Sequence, residues 1–445
     1  MKTTTMWVIA IALVAATGCS ETETEVIDSG GDDQVALGIS PNLKVEAGTR
    51  SATKSVVSGD LITYANYTTE APGLGVLITN KAANGWYTPD GTDYTGHHVW
   101  YMGDERGANW ISIQTKGATF ADTNESPYYL TKDIGRVYAY YPYDVTITNT
   151  LTNVNAEADL KIPVTVLSSG EINAQRNNAK KYWNAGAWAS TARTDLVNLS
   201  LPTEKDYLYF GADGGRYVNN GRADGFSPVT PEDEPNNLDT DNPGYKINLD
   251  MKHAMAMVSF RVYDGGRLSG NNVNFTKFTI KNHIGGTNLF KTGSGKMSLT
   301  DGAITETVAT AELSRTITNY VLMRQVEAGE GQYAFIQTGT TTGGINGKTV
   351  SKSVSAIVYP VNFGKNEIDL EITLKEGDNT PVVYTVTLAG NQWEPNNNYI
   401  YTLSAGRNKL TVMDVSVEAW ADNEQDEIPS YSRRQRHGAG HGRKP

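Results

Sequence analysis

LTVMDVSVEAW, residues 410–420, alternates apolar and polar residues along most of its length. Met413, Val415, Val417 and Ala419 share one face, while Asp414, Ser416 and Glu418 share the other. Successive side chains leave a pleated strand on opposite sides, so a period of two marks a strand with one buried face. The same alternation recurs at 245–251, 257–263, 275–282, 333–337, 355–363, 367–374 and 382–388. In the first half it appears at 35–39, 60–64, 98–102 and 109–115, and as an aromatic run, VYAYYPY, at 137–143. Gly, Asn, Asp and Pro clusters separate these runs, as turns separate antiparallel strands. The pattern predicts an all-β chain. One stretch, 179–192, could form a short helix, although its Trp183 and Trp188 also suit a loop.

Residues 213–244 are rich in Gly, Asn, Asp and Pro without apolar period, which marks a linker or long loop. Roughly six or seven strands on either side suit a β-sandwich in each half. The expected organisation is a sandwich over 51–244 and a second over 245–420, followed by a polar, basic tail at 421–445.

The amino-terminal segment gives an address. Lys2 precedes an apolar run at 6–16, then Thr17, Gly18 and Cys19, the only cysteine in 445 residues. That run is too short for a resident membrane span and reads as a removable lipoprotein signal, 1–18. Cys19 would then become the lipidated first residue, tethered to the outer membrane by several acyl chains. Ala16 stands where such signals usually carry leucine, and an ordinary secretory signal is the alternative. Ser20, Glu21, Glu23 and Glu25 follow, an acidic run that suits surface export or a solvated linker. Without further cysteines no disulfide can form, so core packing alone must hold the fold. A net charge of −11 argues against nucleic acid and anionic lipid surfaces as partners.

No nucleophile elbow, P-loop, HExxH or EF-hand loop appears, so no catalytic residue, metal site or cofactor is assigned. His97 and His98 would point to opposite faces of a strand, which suits turn or surface histidines better than a metal. His253 reads as a hydrogen-bonded core residue, and His437 and His441 lie in the tail. Asp104 and Glu105 could be imagined as a hydrolytic pair, but nearness in sequence does not set spacing across a sheet. Tyr138, Tyr140, Tyr141 and Tyr143 fit a core strand better than a sugar platform.

Several segments together resemble the fimbrillin family, the pilin-like lipoproteins of Bacteroidales. They are VYAYYPY (137–143), KDYLYF (205–210), HAMAMVSFRV (253–262), WEPNNNYIYTL (393–403) and VSVEAW (415–420). Asn396, Asn397 and Asn398 stand where the family usually has glycine, and asparagine can keep the left-handed turn. The resemblance implies two transthyretin-like β-sandwiches in tandem and assembly into an extracellular fimbrium. It also implies trimming by an arginine-specific protease, which removes the first strand so that a carboxy-terminal strand of the next subunit fills the gap.

On this pattern the cut falls between Arg50 and Ser51, in a loose small-residue stretch where proteases act. The propeptide is 19–50, its discarded strand 35–39, and the donor strand 410–420 with Met413, Val415, Val417 and Ala419 as its apolar face. The partners are other copies or related subunits, the protease and, through Cys19, the outer membrane. Residues 410–420 equally suit an ordinary terminal strand of the second sandwich. The tail beyond Trp420 leaves a tip or anchor position open. A surface lipoprotein that binds glycan or host protein through residues such as Trp100 or Trp110 is the other alternative.

Overall fold

A computed structural model describes residues 35–42, 73–87, 98–103, 110–113, 128–174, 183–184, 187–188, 198–210, 217–219, 245–307, 312–327, 333–337 and 353–419, less a few positions inside these ranges. Cys19, Arg50, Ser51, the expected strand at 60–64, the tail and the linker read at 213–244 lie outside them, except that 217–219 of the linker are described and Tyr217–Val218 is a strand. The described chain is β-structure throughout, with a short 3-10 turn at Glu157–Asp159. It is an all-β sandwich fold, as the alternation predicts. Of the stretch 179–192 considered for a short helix, the described residues Trp183–Asn184 and Ala187–Trp188 are extended and pair antiparallel instead.

Two apolar cores organise the strands. The first is covered by a sheet running Lys252–His253, Leu208–Tyr209, Gly135–Tyr141, Leu74–Asn80, His98–Gly103, Trp110–Ile113, with Tyr217–Val218 also on Gly135–Tyr141. Gly135–Tyr141 sits near its centre, and both faces are filled. Val137, Ala139 and Tyr141 enter the first core, whereas Tyr138 and Tyr140 enter the second.

The second core lies between two larger sheets. One has Ala256–Asp264 at its centre, flanked by Ser353–Val358 and Asn397–Ala405, with Leu410–Ala419 outermost. The other runs Val382–Thr387, Ile368–Glu376, Val273–Asn282, Glu312–Thr318, Glu171–Asn173. Aromatic rings lock the layers: Phe260 meets Phe278 at 4.9 Å, and Trp393 meets Phe363 at 4.9 Å. Such pairs add to the ordinary gain of burying large rings.

The two halves of the chain are woven together. Lys161–Val166 pairs with Gly293–Ser298, Glu171–Asn173 with Glu312–Thr318, and Leu208–Tyr209 with Lys252–His253. Strands of each half thereby complete sheets of the other.

Candidate functional site

Two strands correspond to the segments singled out in the sequence, one near each end of the described chain. The first is the leader segment. Val35–Ala36 pairs antiparallel with Tyr129–Leu130, and Gly38–Asn42 pairs parallel with Lys246–Asp250. The alternation expected at 35–39 is realised, since Leu37 and Ile39 are buried against the first core. They join Leu74, Val76, Ile78, Val137, Ile247 and Leu249. Backbone bonds fix the segment in place: Leu37 N–H donates to Tyr128 O at 2.8 Å, and Gly38 N–H to Tyr245 O at 2.8 Å. Tyr101 Oη donates to Leu37 O at 3.0 Å. Burial holds that phenol far above its ordinary titration range, with Ser112 opposing, so it remains a donor.

Lys246–Asp250 has a single strand partner among the described residues, the leader segment itself. Removing Gly38–Asn42 would strip five registered residues of their ladder and uncover the core behind Leu37 and Ile39. Each buried polar group left unpaired costs roughly 1–3 kcal/mol, and each large aliphatic side chain withdrawn forfeits about 1.5–3 kcal/mol. The vacancy would therefore favour a replacement strand.

The second element is Leu410–Ala419, antiparallel to Asn397–Ala405 and outermost in its sheet. Leu410 is buried opposite Ala405, and Val412 packs partly against the core opposite Leu403. A bulge then sets Asp414 opposite Thr402 and leaves Met413 without a residue across from it. Beyond the bulge Val415 faces Tyr401 and Val417 faces Tyr399. Met413, Val415 and Val417 remain 42%, 37% and 54% exposed. Ala419 lies in register with Asn397, its side chain outside the description. The stretch read from sequence as apolar is thus largely uncovered in the monomer, where an internal strand would be sealed.

The supporting strand is rigid. Asn396 holds φ at 66°, the left-handed turn that asparagine was expected to sustain, and its N–H donates to Met255 O at 3.0 Å. Trp393 Nε1 donates to Tyr401 Oη at 3.0 Å, and Glu394 N–H donates to Tyr399 Oη at 2.8 Å.

Two sequence expectations need correction. His98 is a core residue rather than a turn or surface histidine, 7% exposed, with Nε2 2.7 Å from Tyr140 Oη. Trp100 offers no exposed binding face, because it is 5% exposed and stacked on Tyr143 at 5.0 Å. The reason is shared: the chain beyond Tyr141 lays Tyr143 over both side chains. His253 is buried as expected, its Nδ1 2.9 Å from Asp206 Oδ1. Among the described residues no cluster of His, Cys, Asp and Glu could hold a metal, and no helix is long and apolar enough to cross a membrane.

Sequence reasoning missed the buried ion pair of Glu204 and Arg315, which ties the first half to the second core. The available signal was ELSRTIT at 312–318, in which arginine takes the phase of Leu313 and Ile317.

Residues 234–420 match the family described as fimbrillin-like. Comparison with curated proteins gives no match. Among solved structures, a fimbrial protein from Bacteroides vulgatus is 11% identical, with 87% of this chain and 100% of that one covered and a TM-score of 0.43. A candidate cell adhesion protein from Bacteroides ovatus is 14% identical, with coverages of 87% and 98% and a TM-score of 0.42. The tip fimbrial protein Mfa3 from Porphyromonas gingivalis is 10% identical, with coverages of 78% and 93% and a TM-score of 0.35. The fimbrillin-like match thus lies in the carboxy-terminal part of the chain, residues 234–420.

Proposed function

We propose that this protein is a structural subunit of a cell-surface fimbrium, built from two transthyretin-like sandwiches and joined to its neighbours by strand exchange. It is delivered to the outer membrane as a lipoprotein through Cys19. An arginine-specific protease then cuts between Arg50 and Ser51, and the leader strand departs with the lipid. Leu410–Ala419 of another subunit takes its place along Lys246–Asp250. The reading needs no catalysis and no cofactor.

The observation that carries it is the leader segment's position. Gly38–Asn42 is the only described strand partner of Lys246–Asp250, and its Ile39 and the adjacent Leu37 are part of the first core. A short terminal segment thereby plugs a groove that another strand could fill. Head-to-tail filling of that kind does not close on itself and so lengthens into a filament.

The test is an Arg50→Ala variant expressed in the native host. Full-length lipoprotein is expected in the membrane fraction, and the ladder of unboiled polymers on gels is expected to vanish. Mass spectrometry of sheared fibres should find Ser51 as the amino terminus. An unchanged ladder in Arg50→Ala, or fibres whose subunits begin at Cys19, would refute the reading.

A further inference from the structure

The strand Val382–Thr387 ends its sheet, and among the described residues it has one strand partner, Ile368–Glu376. Bonded and non-bonded pairs alternate along an antiparallel ladder. Leu388 N–H donates to Ile368 O at 2.9 Å, which sets the phase. Val382, Tyr384 and Val386 therefore turn their backbone groups toward Ile368–Glu376, and Val383, Thr385 and Thr387 turn theirs outward. No register shift interrupts this pairing, so the outward row is regular.

Natural edge strands are normally blunted by charge, bulges or brevity. Val382–Thr387 reads VVYTVT: it carries no charge, four of its six residues are exposed, and five are β-branched. Val382 and Val383 are 51% and 56% exposed, among the largest apolar exposures in the described chain. The edge of the facing sheet, Leu410–Ala419, is different, since it carries Asp414, Glu418 and a bulge at Met413.

We infer that Val382–Thr387 is a self-association edge, which pairs antiparallel with the same strand of a second copy about a two-fold axis at Thr385. Self-pairing sets Val383 opposite Thr387 and Thr385 opposite itself, using the backbone groups that face outward. The occupant is a second copy because the strand is neutral and self-matched: no like charges meet across the axis. A charged strand would find no opposite charge on this edge, and Leu410–Ala419 paired with itself about Ser416 would set Asp414 opposite Glu418. A two-fold contact closes on itself. It therefore joins chains side by side and leaves head-to-tail growth untouched, so that in a fibre it would bundle neighbouring filaments. The contact stands whether or not strand exchange occurs.

The experiment uses the full chain with Cys19→Ser, which removes its only cysteine. Sedimentation over rising concentration is expected to show a monomer–dimer equilibrium, and Thr385→Lys is expected to raise its midpoint at least about tenfold, a difference of about 1.4 kcal/mol. Thr385→Cys in the same background is expected to form a covalent dimer on mild oxidation, because bonded pairs lie about 5.5 Å apart at Cα, within disulfide range. Asp378→Cys, exposed in the turn before the strand, is the control. If Thr385→Lys lowers thermal stability, the cysteine comparison decides. A chain that is monomeric throughout, or Thr385→Cys cross-linking no faster than Asp378→Cys, overturns the inference. So does a dimer abolished by deleting 421–445, which would make the tail the occupant.

Discussion

Glu204 accepts hydrogen bonds from the Arg315 guanidinium with the two side chains 4% and 0% exposed. Arg315 also donates to Leu167 O and Ser314 O, each at 2.9 Å, while Glu204 accepts from Ile357 N–H at 3.3 Å. The pair thus pins residues 167 and 204 to the strands Glu312–Thr318 and Ser353–Val358. Glu204→Ala removes both acceptor oxygens and leaves the sealed Arg315 guanidinium unpaired, a loss of about 3–5 kcal/mol when one partner of a buried pair is removed. Urea unfolding at neutral pH checks this.

The same pair has a pH signature. Burial pushes the Glu204 carboxyl from 4.5 up to about 6, with Arg315 and the Ile357 and Leu201 backbone opposing. A carboxyl raised in the folded state binds its proton more tightly there than in the unfolded chain. Its contribution is therefore full below pH 4.5 and is lost as pH rises through about 6. The change is roughly 2 kcal/mol at 1.36 kcal/mol per unit. Unfolding free energy measured across that window should fall with pH more steeply in the native chain than in Glu204→Gln. Equal slopes would mean that Glu204 does not titrate there.

Gly75 lies opposite Tyr140, and a Cβ there would come within 2.2 Å of the tyrosine ring. That ring holds His98 through its hydroxyl and is completely buried, so it cannot swing aside freely. Gly75→Ala should cost about 1–3 kcal/mol, the usual range for overpacking a filled core. Thermal melts check the loss, and a melt unchanged from the native chain would mean that the ring moves at no cost.

The strands with one buried face were legible because alternation is a local signal. Leu74–Asn80 was not, since six of its seven residues are buried on both faces and the pattern loses its period. Lys161–Val166 was hidden by Pro163, which is tolerated because that strand is an edge of its small sheet. The strands at 35–39 and 245–251 could both be read from their alternation, but their parallel pairing could not, because pairing so distant leaves no local mark. Exposure was the weakest inference. Trp100 looks available in sequence, and only the fold shows Tyr143 lying on it.

Leu37 tests whether the leader segment is part of the core or merely rests on it. Leu37→Ala removes a side chain packed with Leu74, Val76 and Ile247, and large-to-small changes in cores cost about 2–5 kcal/mol. Denaturant unfolding of the uncut chain should show a loss in that range. A loss below about 0.5 kcal/mol, typical of surface substitutions, would show that the segment adds nothing to the first core.

Val415 and Val417 separate a donor strand from an ordinary terminal one. Both are substantially exposed in the monomer, so Val415→Thr with Val417→Thr should alter monomer stability by no more than about 0.5 kcal/mol. If a neighbour's groove buries them, each new hydroxyl left unbonded costs roughly 1–3 kcal/mol, and polymers should dissociate at lower temperature on unboiled gels. Leu410→Ala is the matched control. Leu410 is 6% exposed in the monomer, and its truncation should cost monomer stability directly, about 2–5 kcal/mol. The reverse outcome, a destabilised monomer from the two threonines with polymers intact, would make Leu410–Ala419 a permanent part of its own sheet and leave the groove to some other strand.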